Sequence, residues 1–260
     1  MSDPFQDNPD LVACAALVEK ADADRFQAAM AAPVAARAVL FPIYAFNIEV
    51  ARAPWASKEE LIAKMRLQWW VDALDEIEAG GIVRRHEVVT PLAMILQGKD
   101  MSRLKGAVSA REKDLERAPF EDWDALHTHV DQTAGALTLE AAAALGAPPD
   151  MFDRIAVWAR AAGFARYLQA VPELVARGKL PLPDGRPEAL EDQARKVLTT
   201  LKGAGGLRGL HRGLGPAGAA VMECWQAKAL LQGVAKDPNS VADGRVQLSE
   251  FSKRLRLLIL

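Results

Sequence analysis

Apolar residues along this chain return at three- and four-residue steps far more often than at every second position, which predicts helices rather than strands. The clearest case is LIAKMRLQWWVDALDEI. There Ile62, Met65, Trp69, Ala73 and Ile77 fall on one stripe, leaving Lys64, Asp72, Asp75 and Glu78 for water. Ser57 with Glu60 three residues on reads as a capping box that starts this helix, and Gly80-Gly81 ends it. Further helices are predicted over 8–20, 34–52, 101–117, 121–146, 150–176, 188–202, 216–234 and 247–259. Turn chemistry separates them at Ala53-Pro54, Ala118-Pro119, Ala147-Pro148-Pro149 and Leu182-Pro183-Asp184-Gly185. No segment alternates as a strand should, and no repeat or long linker interrupts the pattern. The prediction is a single all-α domain over 1–260, with residues 1–9 flexible. The glycines of GAGGLRGLHRGLG, Gly203 to Gly215, predict a loop or frayed turn. A phosphate-cradling loop would need a preceding strand and a closing Lys, and this segment has neither.

Composition narrows the function classes. Half of the 260 residues are hydrophobic and a quarter charged, ordinary values for a globular protein large enough to enclose a deep core or a cavity. Lys plus Arg number 32 against 34 Asp plus Glu, a net charge of −2 that argues against a nucleic-acid binder. Cys14 and Cys224 stand far apart without ligand spacing, so neither a disulfide framework nor a zinc knuckle is expected, and a reducing compartment fits. The opening MSDPFQDNPD has no apolar signal core. No stretch is expected to reach the ~20 apolar residues of a membrane span. The expected location is the cytoplasm, or the mitochondrial matrix for an organellar protein, at the inner face of a membrane. The tail FSKRLRLLIL, basic then apolar, reads as a packed terminal helix, with peripheral membrane contact as the alternative.

Two polar patches invite a metal. Asp72, Asp75 and Glu76 place carboxylates one turn apart, a spacing that can hold Mg²⁺, although acids on the outer face of an amphipathic helix are far commoner. His127 and His129 precede Asp131, but two-residue spacing on a helix sends the imidazoles to different faces, and solvent-facing or capping histidines are the plainer expectation. Neither patch is taken as a metal site, and no catalytic residue is assigned.

Other stretches carry more information: Asp24-Arg25-Phe26, Tyr44-Ala45-Phe46, Arg66-Leu67-Gln68-Trp69-Trp70 and the closing Leu182-Pro183. In this order and spacing, from about residue 10 to 235, the chain resembles the squalene/phytoene synthase family. The resemblance implies an isoprenoid-synthase-like helical bundle around a central cavity. In that family two aspartate-rich motifs on facing helices hold Mg²⁺ against prenyl diphosphates, because departure of a diphosphate demands clustered carboxylates and metal to neutralise the developing charge. Where the first motif belongs, this chain has Asn47, Glu49, Ala51, Arg52 and Trp55; between Gly163 and Pro183 its sole acid is Glu173, after Pro172, which is expected to interrupt the helix.

Phe-Asn-x-Glu and Leu-x-Ala-x-Pro in these places resemble the branch that contains a mitochondrial complex I assembly factor. That implies a protein without prenyl transfer and without a cofactor, binding respiratory complex I subunits or an apolar isoprenoid-like ligand. The alternatives are a Mg²⁺-dependent prenyltransferase with displaced ligands, using Glu49, Asp72 or Asp75, and an apolar-ligand carrier. Candidate cavity residues are Tyr44, Asn47, Glu49, Arg52, Arg66, Gln68, Trp70 and Tyr167. Trp69 and Trp70 are expected to anchor the core. Arg66 is expected to meet an anion or Glu49, with Gln68 partnering the Asn47–Glu49 pair. Ala134, Gly135 and Gly163 are expected to let helices approach closely.

Overall fold

A computed structural model of the chain describes residues 3–57 and 59–260. Among them every regular element is helical: α1 (Pro9–Ala21), α2 (Ala23–Ala31), α3 (Val34–Arg52), α4 (Glu60–Ala79), α5 (Val89–Leu96), α6 (Ser102–Ala110), α7 (Trp123–Val130), α8 (Ala136–Ala144), α9 (Phe152–Ala176), α10 (Pro187–Ala204), α11 (Leu207–Gly213), α12 (Ala227–Lys236) and α13 (Glu250–Leu258). Short 3₁₀ segments join several of them, the longest being Gly215–Cys224, and a π turn at Asp131–Gly135 links α7 to α8. Helix α3 is the axis of the bundle. Every residue from Leu40 to Phe46 is buried, as expected of a helix apolar on all sides. Helices α1, α2, α5 and α8 pack around it, and the 25-residue α9 lies against α8, α10 and α12.

Several sequence expectations need correcting. Helix α4 buries Ala63, Leu67, Trp70, Ala73, Leu74 and Ile77, one residue round from the predicted stripe. Ile62 is 38% exposed and Met65 63% exposed. Both arcs are apolar, and the small Ala63 gives the inner one a weak signal. The capping box does not form: the helix begins at Glu60 with Glu59 as its cap, and Ser57 Oγ accepts from the Glu59 amide at 3.0 Å. Gly80 does end it, at φ 73°, a left-handed position that glycine takes without strain.

The glycine-rich segment is also more ordered than its composition suggests, since α11 occupies Leu207–Gly213. Pro172 sits inside an unbroken α9. The window Val34–Trp55 is in fact long and apolar enough to cross a membrane, with mean hydropathy 1.4, but it supplies the bundle axis and is mostly buried within the protein. Residues 1 and 2 lie outside the described residues; farther along the expected flexible start, Phe5 stacks edge-on against Phe41 with centroids 6.0 Å apart.

At Gly163 two helical segments cross with no room for a side chain. A Cβ there would meet Ala134 Cβ and Val130 Cγ1, each at 2.7 Å, so α9 can touch the π turn only through a bare Cα. Gly106, in the middle of α6, has nothing within 4 Å. In urea unfolding, Gly163→Ala is expected to destabilise by about 1–3 kcal/mol despite the better helix propensity of alanine. Gly106→Ala is expected to stabilise by up to about 1 kcal/mol. Equal effects at the two positions would refute the close-approach reading.

Candidate functional site

The C-terminal ends of α3 and α9 meet across a cleft of about 600 Å³. Glu49, Arg52 and Trp55 enter from α3 and the turn after it, Arg66 from α4, and Glu173 and Arg177 from α9. Both carboxylates are already engaged on their own helices. Arg52 Nη1 lies 3.6 Å from Glu49 Oε1, and Arg177 holds Glu173 one turn away. Arg177 also lies over the Trp55 ring at 4.8 Å, with Lys179 at 5.2 Å. Arg66 has no carboxylate within 4.0 Å among the described residues. The cleft thus holds three arginines against two glutamates. A smaller annex of about 200 Å³ continues from Arg66 to Trp69, Trp70 and His86.

The structure brings Glu49, Arg52 and Arg66 together, and Trp70 borders the annex from the core, edge-on to Phe46 at 5.4 Å. Asn47 is half-buried on α3. Gln68 is exposed and donates to Asp72 at 2.8 Å, so it does not partner Asn47 or Glu49. Tyr167 is tied away from the cleft by donating its hydroxyl to Pro181 O at 2.7 Å. The acidic patch of α4 is divided among its neighbours: Lys105 bridges Asp75 and Glu78, while Arg84 forks onto Glu76. Among the described residues no three His, Cys, Asp or Glu side chains gather as a metal group.

The two histidines do face different ways, but neither is a solvent or capping residue. His127 meets Gln193 Oε1 at 3.2 Å, and its Nδ1 is buried without a partner. His129 is buried beside Phe120 and Tyr167, with Asp114 at 3.7 Å.

Tyr44 lines neither the cleft nor its annex but is buried beside Arg25, where the sequence reading missed the strongest polar feature of the molecule. Glu223, in the 3₁₀ segment before α12, accepts from Arg25 Nε at 2.6 Å and from Arg166 Nη1 at 3.0 Å. Its other oxygen meets the Thr138 hydroxyl. Arg25 Nη1 continues to Asp22 at 2.8 Å, and the Arg25 guanidinium lies 5.2 Å from the Tyr44 ring centroid. Two cations therefore balance two anions. Burial pushes the Glu223 carboxyl upward, but Arg25 and then Arg166 outweigh it and hold it below the ordinary carboxylate range. Asp22 is held down by the same two arginines against its own burial. Burial pushes the Tyr44 phenol well above its usual range, so it stays neutral. A signal was present: Glu223 is the lone charge in the apolar run AGAAVMECW, and Arg166 is flanked by Gly163, Phe164 and Leu168.

With these features the molecule is an all-α bundle of the isoprenoid-synthase type. The squalene/phytoene synthase family pattern matches residues 18–198, well over half of the chain, and the chain belongs to that family. In fold it superposes on the crystal structure of squalene synthase HpnC from Alicyclobacillus acidocaldarius with a TM-score of 0.71 at 13% identity, covering 88% of this chain and 94% of that one. It also matches a dehydrosqualene synthase in complex with ligand, with a TM-score of 0.67 at 16% identity over 98% of this chain and 97% of that one. Among curated proteins it is similar to the Drosophila melanogaster homolog of NADH dehydrogenase (ubiquinone) complex I, assembly factor 6, at 32% identity over 48% of this chain and 40% of that protein. The human assembly factor 6 is 25% identical over 65% of this chain and 52% of its own length. The chain thus spans about half the length of these relatives or less.

Two stability predictions follow from the buried groups. Glu223→Gln leaves the half-buried Arg166 without a carboxylate and the buried Arg25 with Asp22 alone, and chemical denaturation is expected to show a loss of about 3 kcal/mol. Because the Glu223 and Asp22 carboxyls are depressed on folding, their stabilisation is complete above the unfolded carboxylate value of 4.5 for Glu223 and fades as pH falls through the lower folded values. The variant should lose the Glu223 part of that acid-side dependence and keep the part due to Asp22.

His129 acts in a different window. Burial pushes its imidazole down to about 4, against the pull of Asp114. The unfolded chain therefore takes up more protons between the free value of 6.5 and about 4, and stability falls as pH drops through that range. The loss is on the order of 3 kcal/mol, and His129→Leu should flatten the curve there. An unchanged slope between those pH values would exclude His129 as its source.

Proposed function

We propose that this chain is a non-catalytic member of its family that works as a binding or assembly factor for respiratory complex I. It would act at the inner face of the membrane that carries the complex, in a bacterial cytoplasm or a mitochondrial matrix. The observation that carries the reading is the charge of the cleft between the ends of α3 and α9. At the two places where the resemblance puts Mg²⁺-binding aspartates, this chain presents Glu49 beside Arg52 and Glu173 beside Arg177. Mg²⁺ demands several free carboxylate oxygens. Two glutamates already held by arginines, with Arg66 adding a third positive charge, do not fit such a cage. Without such a cage the cleft lacks the divalent charge with which the family is understood to stabilise diphosphate departure, and two of its three arginines are already engaged by Glu49 and Glu173. Further support comes from relatives named as complex I assembly factors, at identities above those of the matching synthase structures.

The same bundle also bears on the carrier alternative. The space beside Tyr44 is taken by the Arg25–Glu223–Arg166 cluster, which is poor lining for an apolar molecule. The reading therefore rests on surface recognition at the cleft.

Deletion of the gene is expected to lower assembled complex I on native gels. Re-expression of the wild-type chain should restore it, and Glu49→Ala should restore it equally. An affinity-tagged chain should recover complex I subunits after cross-linking, and Arg66→Glu should reduce that recovery. Steady product release from farnesyl or geranylgeranyl diphosphate with Mg²⁺, lost in Glu49→Ala, would overturn the proposal in favour of a prenyltransferase. So would normal complex I in the deletion strain.

A further inference from the structure

A second cleft is built differently and lies at the other end of α9. Trp158 marks it, about 22 Å back along the helix from Glu173. A cavity of about 770 Å³ opens there between α9, α10 and α12, with the start of α11 and the end of α13 at its edge. That size falls within the range of small-molecule sites. The apolar part of its wall includes Trp158, Leu198, Leu201 and Trp225. Around these stand Arg195, Lys202, Arg208, Lys228 and Arg256, and no Asp or Glu lines the cavity. Arg195 is paired with Glu191. The other four cations have no carboxylate within 4.0 Å among the described residues, although Arg256 reaches the Ser252 hydroxyl. The whole chain carries a net charge of −2, so this excess is local and not a reflection of composition.

Trp225 supplies an independent sign. It is 5% exposed, and its indole N–H is buried without any acceptor, whereas Trp158 Nε1 donates to Gly205 O at 3.2 Å. A buried donor left unpaired is costly unless a ligand or water completes it. Converging cations raise the local potential and favour an anion, and guanidinium and ammonium groups suit phosphate oxygens. Free phosphate would need only the cations. The tryptophan and leucine wall calls for an apolar chain attached to the charge.

We propose that this cavity binds a single-chain phosphate amphiphile. The phosphate sits among Lys202, Arg208, Lys228 and Arg256, and the chain lies along Trp158, Leu198, Leu201 and Trp225. The site is separate from the α3–α9 cleft, so this inference and the complex I reading can each fail alone.

The test is calorimetric titration of the full chain with oleoyl lysophosphatidic acid below its micelle threshold, followed in parallel by tryptophan fluorescence. One-to-one saturable binding is expected. The exposed-residue double variant Lys202→Glu/Arg208→Glu, with an unchanged circular dichroism melt, should weaken it about tenfold or more. Trp225→Phe and Trp158→Phe should each remove part of the fluorescence response, and the two substitutions together most of it. Inorganic phosphate and monooleoylglycerol should each bind far more weakly than the amphiphile. Unchanged affinity in the double variant would sink the proposal, and equal affinity for inorganic phosphate would reduce the site to a plain anion patch. Binding to phosphatidylglycerol vesicles without binding to the monomer would also overturn it, assigning this face to a bilayer surface instead.

Discussion

The bundle is organised around one carboxylate. Taking Glu223 out of water costs several kcal/mol, and the hydrophobic effect cannot repay that, because it is indifferent to direction. Repayment comes from two guanidinium groups and a hydroxyl placed within hydrogen-bond reach, with Asp22 completing the charge balance. These partners arrive from α2, α8 and α9, and Arg25 lies 198 residues from Glu223 in the chain. None of the partial arrangements is satisfactory: a cluster missing one arginine leaves a buried charge exposed to the low dielectric of the core. The first and last parts of the chain are therefore committed to docking together around α3.

That commitment shapes where recognition can occur. The ion cluster and the Tyr44 ring occupy the middle of the bundle, beside the apolar axis from Leu40 to Phe46. The two largest clefts among the described residues open at opposite ends of α9, and both are cationic in character. They differ in one respect. Near Glu173 each acid of the cleft is matched to an arginine one turn away, whereas near Trp158 no Asp or Glu lines the cavity, and of its five cations Arg195 alone is paired with a carboxylate among the described residues. The first surface is mixed and adaptable; the second has a sign.

Much of the fold was legible because helices announce themselves by period. The α3 boundaries matched, Trp70 was a core anchor as expected, and Gly163 marked a close crossing for the reason its lack of a side chain suggests. The α4 stripe was misread by one residue because Ala63 is too small to mark a face, while exposed Met65 and Ile62 mimic one. Helices α2, α5 and α11 escaped prediction: α2 and α11 are short, α11 is also rich in glycine, and α5 is apolar nearly throughout. In the site, Glu49, Arg52 and Arg66 were placed together by motif order alone, yet their pairing was not, since spacing cannot tell whether Glu49 meets Arg66 or Arg52. The buried cluster was harder still. Helical periodicity reports which face is apolar, and it carries no information about which distant arginine will neutralise a buried acid.

The ion pairs of the α3–α9 cleft are better suited to recognition than to catalysis for a reason of magnitude. Arg52 is half-exposed and Glu49 about a third exposed, and Glu173 is more exposed than Arg177. Such pairs contribute at most about 1 kcal/mol, so they exchange readily for charges on another molecule. Beneath them the base is firm: Trp55 is clamped under Arg177 and Lys179, and Trp70 is fixed against Phe46. A catalytic site needs the reverse, with charges held in place before the reaction begins, because electrostatic stabilisation works by avoiding reorganisation. Weakly held charges on a rigid aromatic floor instead steer an approaching surface and fix its orientation, while the aromatic groups supply the contact area. On the proposed reading, the arginines of this cleft are the groups through which a protein partner would be recognised.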